Sequence, residues 1–291
     1  MRLFDAHNHL QDARFGNQQD ELISDCTAVG LSKMVVNGTR ESDWPTVADL
    51  ASRHDCVMPS FGLHPWFVHE RTPSWLAKLE QHLDACQSVV GEIGLDRWKP
   101  GLSYDGQEKV FTAQLSLAAE RNLPASLHCL KTWGRLHDLL RNSPLPRRGF
   151  LLHSYGGPAE MIEPLASLGA YFSFPGAFAH ERKTRQRDTF RRVPTDRLLI
   201  ETDAPDQGLP EDRVTHPLGQ AVNHPANIAA VNEAAAEALG PYTVFVPTTQ
   251  FARPAKESPN VSHGHHWYGN AESYFLIGDA LGQALLKLNT K

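Results

Sequence analysis

Short apolar runs alternate with longer amphipathic stretches along most of this 291-residue chain. Eight strand-like runs are readable, at 2–7, 33–38, 57–62, 88–93, 124–128, 149–153, 170–174 and 197–202. Helical stretches separate them, for example at 20–29, 75–86, 105–121 and 133–141. Alternation of this kind builds parallel βαβ units. Eight such units predict an α/β fold of the (β/α)8 TIM-barrel type, for which this length is comfortable. A doubly wound open sheet would normally place a Gly-rich phosphate turn after its first strand. Here that position reads His7-Asn8-His9-Leu10, which favours the barrel.

The whole span 1–291 reads as one barrel domain. After a helix at about 226–239, the segment 241–268 holds four prolines and reads as an irregular excursion. A closing helix is expected at about 271–288. Net charge is −5 and the pI is near 6.3, which argues against tight non-specific binding to long nucleic acid. Cys26, Cys56, Cys86 and Cys129 form no CxxC pair and read as reduced thiols of a cytoplasmic protein. No membrane span or signal peptide is visible, and cleaving a leader would remove the candidate ligands at the start of the chain. No oligomeric state can be read from the sequence.

Chemistry gathers at the downstream ends of the strand-like runs. Asp5, His7 and His9 alternate on the first run, so they are expected to share a face. Glu92, His128, His153 and Asp203 end or follow four others. In a closed parallel barrel those ends converge on one rim, where active sites sit. Taken singly, each has a plain structural role: a strand-end His is commonly just hydrogen-bonded, and Asp203 could cap a turn. Repetition changes the balance, because burying so many polar groups without partners is costly, and a shared cation would partner all of them. The set His7, His9, Glu92, His128, His153 and Asp203 therefore predicts a site for one or two divalent cations, Mg, Mn or Zn. Five or six ligands exceed one tetrahedral ion, so two ions about 3.5–4 Å apart fit better. Glu92 is the natural bridge, from a strand across the barrel from the first. Asp203 is the expected proton acceptor for an activated water.

The stretches Phe4-Asp5-Ala6-His7-Asn8-His9, Gly62-Leu63-His64-Pro65, Gly91-Glu92-Ile93-Gly94-Leu95-Asp96, Leu123-Pro124 through His128, Leu152-His153-Ser154, Glu201-Thr202-Asp203-Ala204-Pro205 and Asn223-His224-Pro225 resemble, in order, the TatD family of metal-dependent hydrolases in the amidohydrolase superfamily. The resemblance covers residues 2 to about 239. It implies that His7, His9, Glu92 and Asp203 hold one metal and that Glu92, His128 and His153 hold the other. It also implies magnesium-dependent deoxyribonuclease activity, often exonucleolytic, with His64 at the site mouth touching substrate. The chain departs from the family's usual pattern at Leu130, which Lys131 follows, and at Tyr155-Gly156-Gly157.

Three functions are in play. The leading one is phosphodiester hydrolysis, with DNA ends as substrate and Lys131 and Arg182 as phosphate contacts. An amide, ester or lactone hydrolase acting on a small molecule would use the same cluster. A metal-stabilised barrel without catalysis is the third. The basic run from Arg182 to Arg192 reads as a solvated outer helix except at Arg182 and Lys183, nearest the rim. Trp66, Phe67 and Trp98 suit either base stacking or capping the barrel top. His263, His265 and His266 read as loop residues, and Cys129 should face away from His128.

Overall fold

The computed structural model describes residues 2–219 and 221–239, together with Leu276. One eight-stranded sheet runs in chain order: β1 (Leu3–Asn8), β2 (Leu31–Asn37), β3 (Val57–Phe61), β4 (Val89–Asp96), β5 (Ala125–Leu130), β6 (Phe150–Leu152), β7 (Ala170–Pro175) and β8 (Leu198–Glu201). Every neighbouring pair is parallel. The connections carry α1 (Gln19–Ala28), α2 (Trp44–Arg53), α3 (Trp75–Ala85), α4 (Tyr104–Arg121), α5 (Trp133–Arg141), α6 (Ile162–Ser167) and α7 (Thr184–Phe190). After β8 come a two-stranded hairpin, β9 (Pro217–Leu218) with β10 (Val222–Asn223), and α8 (Ile228–Ala238). This is the (β/α)8 barrel that the alternation predicts. Residues Arg2–Ala235 form one compact unit. The expected excursion at 241–268, its three histidines and the closing helix lie outside the described residues. Among the described residues no helix is long and apolar enough to cross a membrane.

Local chemistry sets the element ends. Ser103 caps α4 by accepting the Gly106 N–H, and Asn122 closes it with a left-handed φ of 50°. Trp44, fully buried on α2, donates its indole N–H to Gly62 O at 3.0 Å and so ties α2 to the end of β3. Strand β4 runs three residues beyond its expected end because Gly94, Leu95 and Asp96 keep pairing with His128, Cys129 and Leu130. All eight of its residues are buried, two carboxylates included.

Two register slips matter for the site. Asp5 pairs with Met34 and Asn8 with Val36, so β1 takes three steps where β2 takes two. Val90 pairs with Ala125 and Ile93 with Leu127, giving β4 the same extra residue against β5. Such bulges re-aim side chains. The first contains His7 and the second Glu92. Gly91 makes the second possible: a Cβ there would stand 2.8 Å from Ser126 Cβ.

The first bulge breaks the alternation that would place Asp5 on the His7 and His9 face. The fully buried Asp5 carboxylate instead accepts hydrogen bonds from Thr202 N (2.9 Å), Thr202 Oγ1 (2.6 Å), Asn8 Nδ2 (3.1 Å) and His7 N (3.3 Å). Asp203 N donates to His7 O at 2.9 Å and His9 N to Ala204 O at 2.7 Å. These bonds join the first strand to the last. Asp5→Ala would leave Thr202 N and Asn8 Nδ2 without this acceptor, at about 1–3 kcal/mol each. The expected loss of stability is about 2–4 kcal/mol, read from urea unfolding midpoints at unchanged m-value.

Candidate metal centre

Seven side chains meet at the downstream rim: His7 on β1, His9 just after it, His64 after β3, Glu92 on β4, His128 on β5, His153 after β6 and Asp203 after β8. Asp203 takes a left-handed φ of 50°, a conformation Asp tolerates better than most residues.

Glu92 divides the site. Its Oε2 lies 3.3 Å from His9 Nε2 and 3.6 Å from His7 Nε2. Those two nitrogens are 3.2 Å apart, and each is 3.6 Å from Asp203 Oδ1. Glu92 Oε1 faces the other way, 2.8 Å from His153 Nε2, 3.1 Å from His128 Nδ1 and 3.4 Å from His64 Nε2. His128 Nδ1 and His153 Nε2 are 3.3 Å apart. Three triads bring one donor atom from each member within 4.8 Å of one another: His7, His9 and Glu92; His7, His153 and Asp203; and His64, Glu92 and His128.

Outer partners fix which ring nitrogen faces inward, as is usual for ligating imidazoles. His9 Nδ1 donates to Asn37 O at 2.8 Å, leaving Nε2 for the centre. His7 Nδ1 meets Ser126 Oγ at 2.9 Å. His128 Nε2 donates to Asp96 Oδ2 at 2.9 Å, so Nδ1 faces inward. His153 Nδ1 lies 3.7 Å from Glu201 Oε1, within ion-pair reach but long for a hydrogen bond. His64 differs: its Nδ1 accepts the Trp66 N–H at 3.2 Å, so in the neutral ring Nε2 carries the hydrogen. His64 therefore presents a donor to Glu92 rather than a lone pair to a cation.

The charges follow from burial and crowding. Burial with the His153 charge lowers His7 to about 4, and burial lowers His64 to about 4. Burial also acts on His9, but the hydrogen bond and charge of Glu92 overcome it and raise His9 to about 9. Despite burial, His64, His153 and His128 hold Glu92 well below the usual carboxylate range. Burial pushes Asp203 up to about 7, against the nearby His153 and His9 charges.

The donor set fits a cation. A tetrahedral ion with N and O ligands at about 2.0–2.2 Å has ligand–ligand edges of about 3.3–3.6 Å. The distances from His7 Nε2 and His9 Nε2 to each other, to Glu92 Oε2 and to Asp203 Oδ1 are 3.2–3.6 Å.

Two buried carboxylates escaped the sequence reading. Asp96 orients His128. Glu201 accepts from Ser154 N (2.7 Å) and Ser154 Oγ (2.6 Å), and from Ser173 Oγ, beside His153. The signal was present, since Asp96 is four residues from Glu92 and Glu201 two from Asp203, the same-face spacings of a strand. Of the expected substrate contacts, only His64 joins the group around Glu92. Lys131 is exposed, just past the end of β5. Arg182 lines a separate open cleft of about 500 Å³ with His180, Pro210, Asp212 and Arg213. Within the basic run, Arg187 is no solvated residue: its guanidinium donates to Phe178 O, His180 O and Glu181 O. Cys129 turns from the site, its Sγ 3.2 Å from Thr132 Oγ1, and all four cysteines are free.

An (β/α)8 barrel with imidazoles and carboxylates gathered on its downstream rim defines the class of metal-dependent barrel hydrolases. Within it, the chain belongs to the TatD-related DNase family, which matches residues 4–251. It is 30% identical over 211 residues to the uncharacterized metal-dependent hydrolase YjjV of Escherichia coli K12, covering 72% of this chain and 81% of that protein. It is 30% identical over 235 residues to the 3′-5′ ssDNA/RNA exonuclease TatD of Citrobacter koseri, covering 79% and 88%. The crystal structure of YjjV, a TatD homologue from Escherichia coli, superposes with a TM-score of 0.75 at 28% identity, over 81% of this chain and 90% of that one.

A cation at His9 Nε2 must displace a proton. His9, raised to about 9, is charged at neutral pH in the metal-free protein, and ligation requires the neutral ring. Metal affinity should therefore rise with pH, by about tenfold per unit for each proton released, until pH approaches 9. Isothermal titration in buffers of differing ionisation enthalpy at pH 7 should detect that proton; a pH-independent affinity would remove His9 from the ligand set.

Proposed function

We propose that this protein is a divalent-metal-dependent phosphodiesterase acting on nucleic-acid ends. The observation that carries the reading is the Glu92 carboxylate, whose two oxygens face two separate groups of donors. His7, His9, Glu92 and Asp203 would hold one cation, and Glu92, His128 and His153 a second. Divalent cations bound there would supply a water nucleophile at neutral pH and neutralise charge developing on the phosphoryl oxygens. The imidazole-rich set favours zinc over magnesium.

The protein's own groups divide the remaining work. Asp203, raised to about 7, takes the proton of the attacking water, since a base titrating near working pH serves best. Glu92 stays ionised and negative between the two donor groups. His64, with its hydrogen on Nε2, can donate to a substrate oxygen. Lys131 and Arg182, exposed on the rim, can meet phosphates further along the strand. The family membership and the nuclease named among the relatives support this substrate class.

Purified protein loaded with Mg, Mn or Zn should release nucleotides from single- or double-stranded DNA faster than it hydrolyses small esters, amides or lactones. Preference for the small substrates would transfer the centre to that chemistry. Asp203→Asn should lower kcat by about 10²–10⁴-fold with the fold retained by circular dichroism, because an amide accepts no proton. Near wild-type turnover in that variant would overturn the role.

A further inference from the structure

An aromatic shelf adjoins the metal centre. Trp66 follows β3 and Trp98 follows β4; their rings lie 6.3 Å apart with planes 27° from parallel. Trp66 is in turn 6.3 Å from the His128 ring and 5.2 Å from that of His64. The shelf therefore begins beside the side chains that meet Glu92 and leads away over the rim.

Its outer member is exposed. Trp98 leaves 57% of its surface in solvent, the most among the exposed large hydrophobic residues described. A ring capping the barrel would be buried, as Trp44 is at 0%. Exposure here is not looseness, because one carboxylate holds the whole shelf. Asp96 Oδ1 accepts the backbone N–H of Trp98 (2.6 Å) and of Lys99 (3.0 Å). Asp96 Oδ2 accepts Trp66 Nε1–H at 2.7 Å and His128 Nε2–H at 2.9 Å. Two cations complete the surface. Lys99 Nζ stands 4.6 Å from the Trp66 ring centre, and the Arg40 guanidinium 3.6 Å from that of Phe67. Glu70, 3.4 Å from Arg40, offsets part of that charge.

Fixed indoles interleaved with cations beside a phosphodiester-cleaving centre match one ligand chemistry. Unpaired bases stack on aromatic faces while the backbone follows positive charge. We propose that Trp98, backed by Trp66, is a stacking subsite for an unpaired nucleobase near the scissile bond, with Lys99 and Arg40 serving the adjoining phosphates. The proposal rests on the phosphodiesterase reading above and extends it by assigning the residues that hold the base beside the scissile bond.

The test is a cycle in which both partners are altered. Metal-loaded wild type, Trp98→Ala and Trp98→Phe are compared on a single-stranded oligonucleotide and on the same strand made abasic at its two terminal positions. Binding is followed by fluorescence anisotropy and turnover by product release. Stacking is worth about 1–3 kcal/mol per base, so Trp98→Ala should weaken binding and kcat/KM on the intact strand by about 5- to 150-fold. On the abasic strand it should change neither, and Trp98→Phe should restore most of the loss. Equal losses on both strands, or none on the intact one, overturn the subsite. If wild type binds the strand with this base-dependent pattern yet cleaves nothing, the subsite stands and the phosphodiesterase reading falls.

Discussion

A single carboxylate placed among five imidazoles is the constraint from which this structure follows. Glu92 lies 2.8–3.6 Å from nitrogens of His7, His9, His64, His128 and His153, and is nearly inaccessible to solvent. Left to itself such a group would be expensive to bury. The imidazoles keep it ionised, and it keeps His9 and His153 charged in the metal-free protein. That arrangement is balanced only when positive charge is present, whether as protons or as cations. It must also be held rigidly, and the fold supplies this through the β4 bulge that aims Glu92 inward and through Asp96 and Glu201, which steady the rings opposite.

Much of this was legible in the sequence. Eight apolar runs at regular intervals gave the barrel, and His7, His9, Glu92, His128, His153 and Asp203 come together as their positions at strand ends require. The failures have a common physical origin. A period of two tells which residues share a face only while the strand is regular, and both critical strands carry an extra residue. Asp5 therefore turns to Thr202, not to the His7 and His9 cluster. Nor could spacing reveal which nitrogen of His64 carries hydrogen, since that depends on Trp66 N, a contact made by the turn after β3. Asp96 and Glu201 have the right spacing, but which imidazoles they stand behind depends on β5 and β6, which spacing along their own strands does not show.

Asp96 joins two properties that are usually separate. One of its oxygens orients His128 in the centre, and both fasten the Trp66–Trp98 shelf. Rigidity at the reacting groups and rigidity where substrate arrives thus share one anchor, on a strand that is buried along its whole length. Sites built on such elements hold their geometry better than sites on free loops.

The seam between β1 and β8 has a consequence for the life of the chain. Asp5 and Thr202 are separated by 197 residues, and His7 and His9 meet Asp203 across the same seam. During synthesis the first histidines emerge long before their partner, and contacts of such sequence separation form late. A nascent or truncated polypeptide ending before β8 holds imidazoles but lacks the acid that completes the set. The donor set around Glu92 is therefore complete only once the last strand has docked against the first.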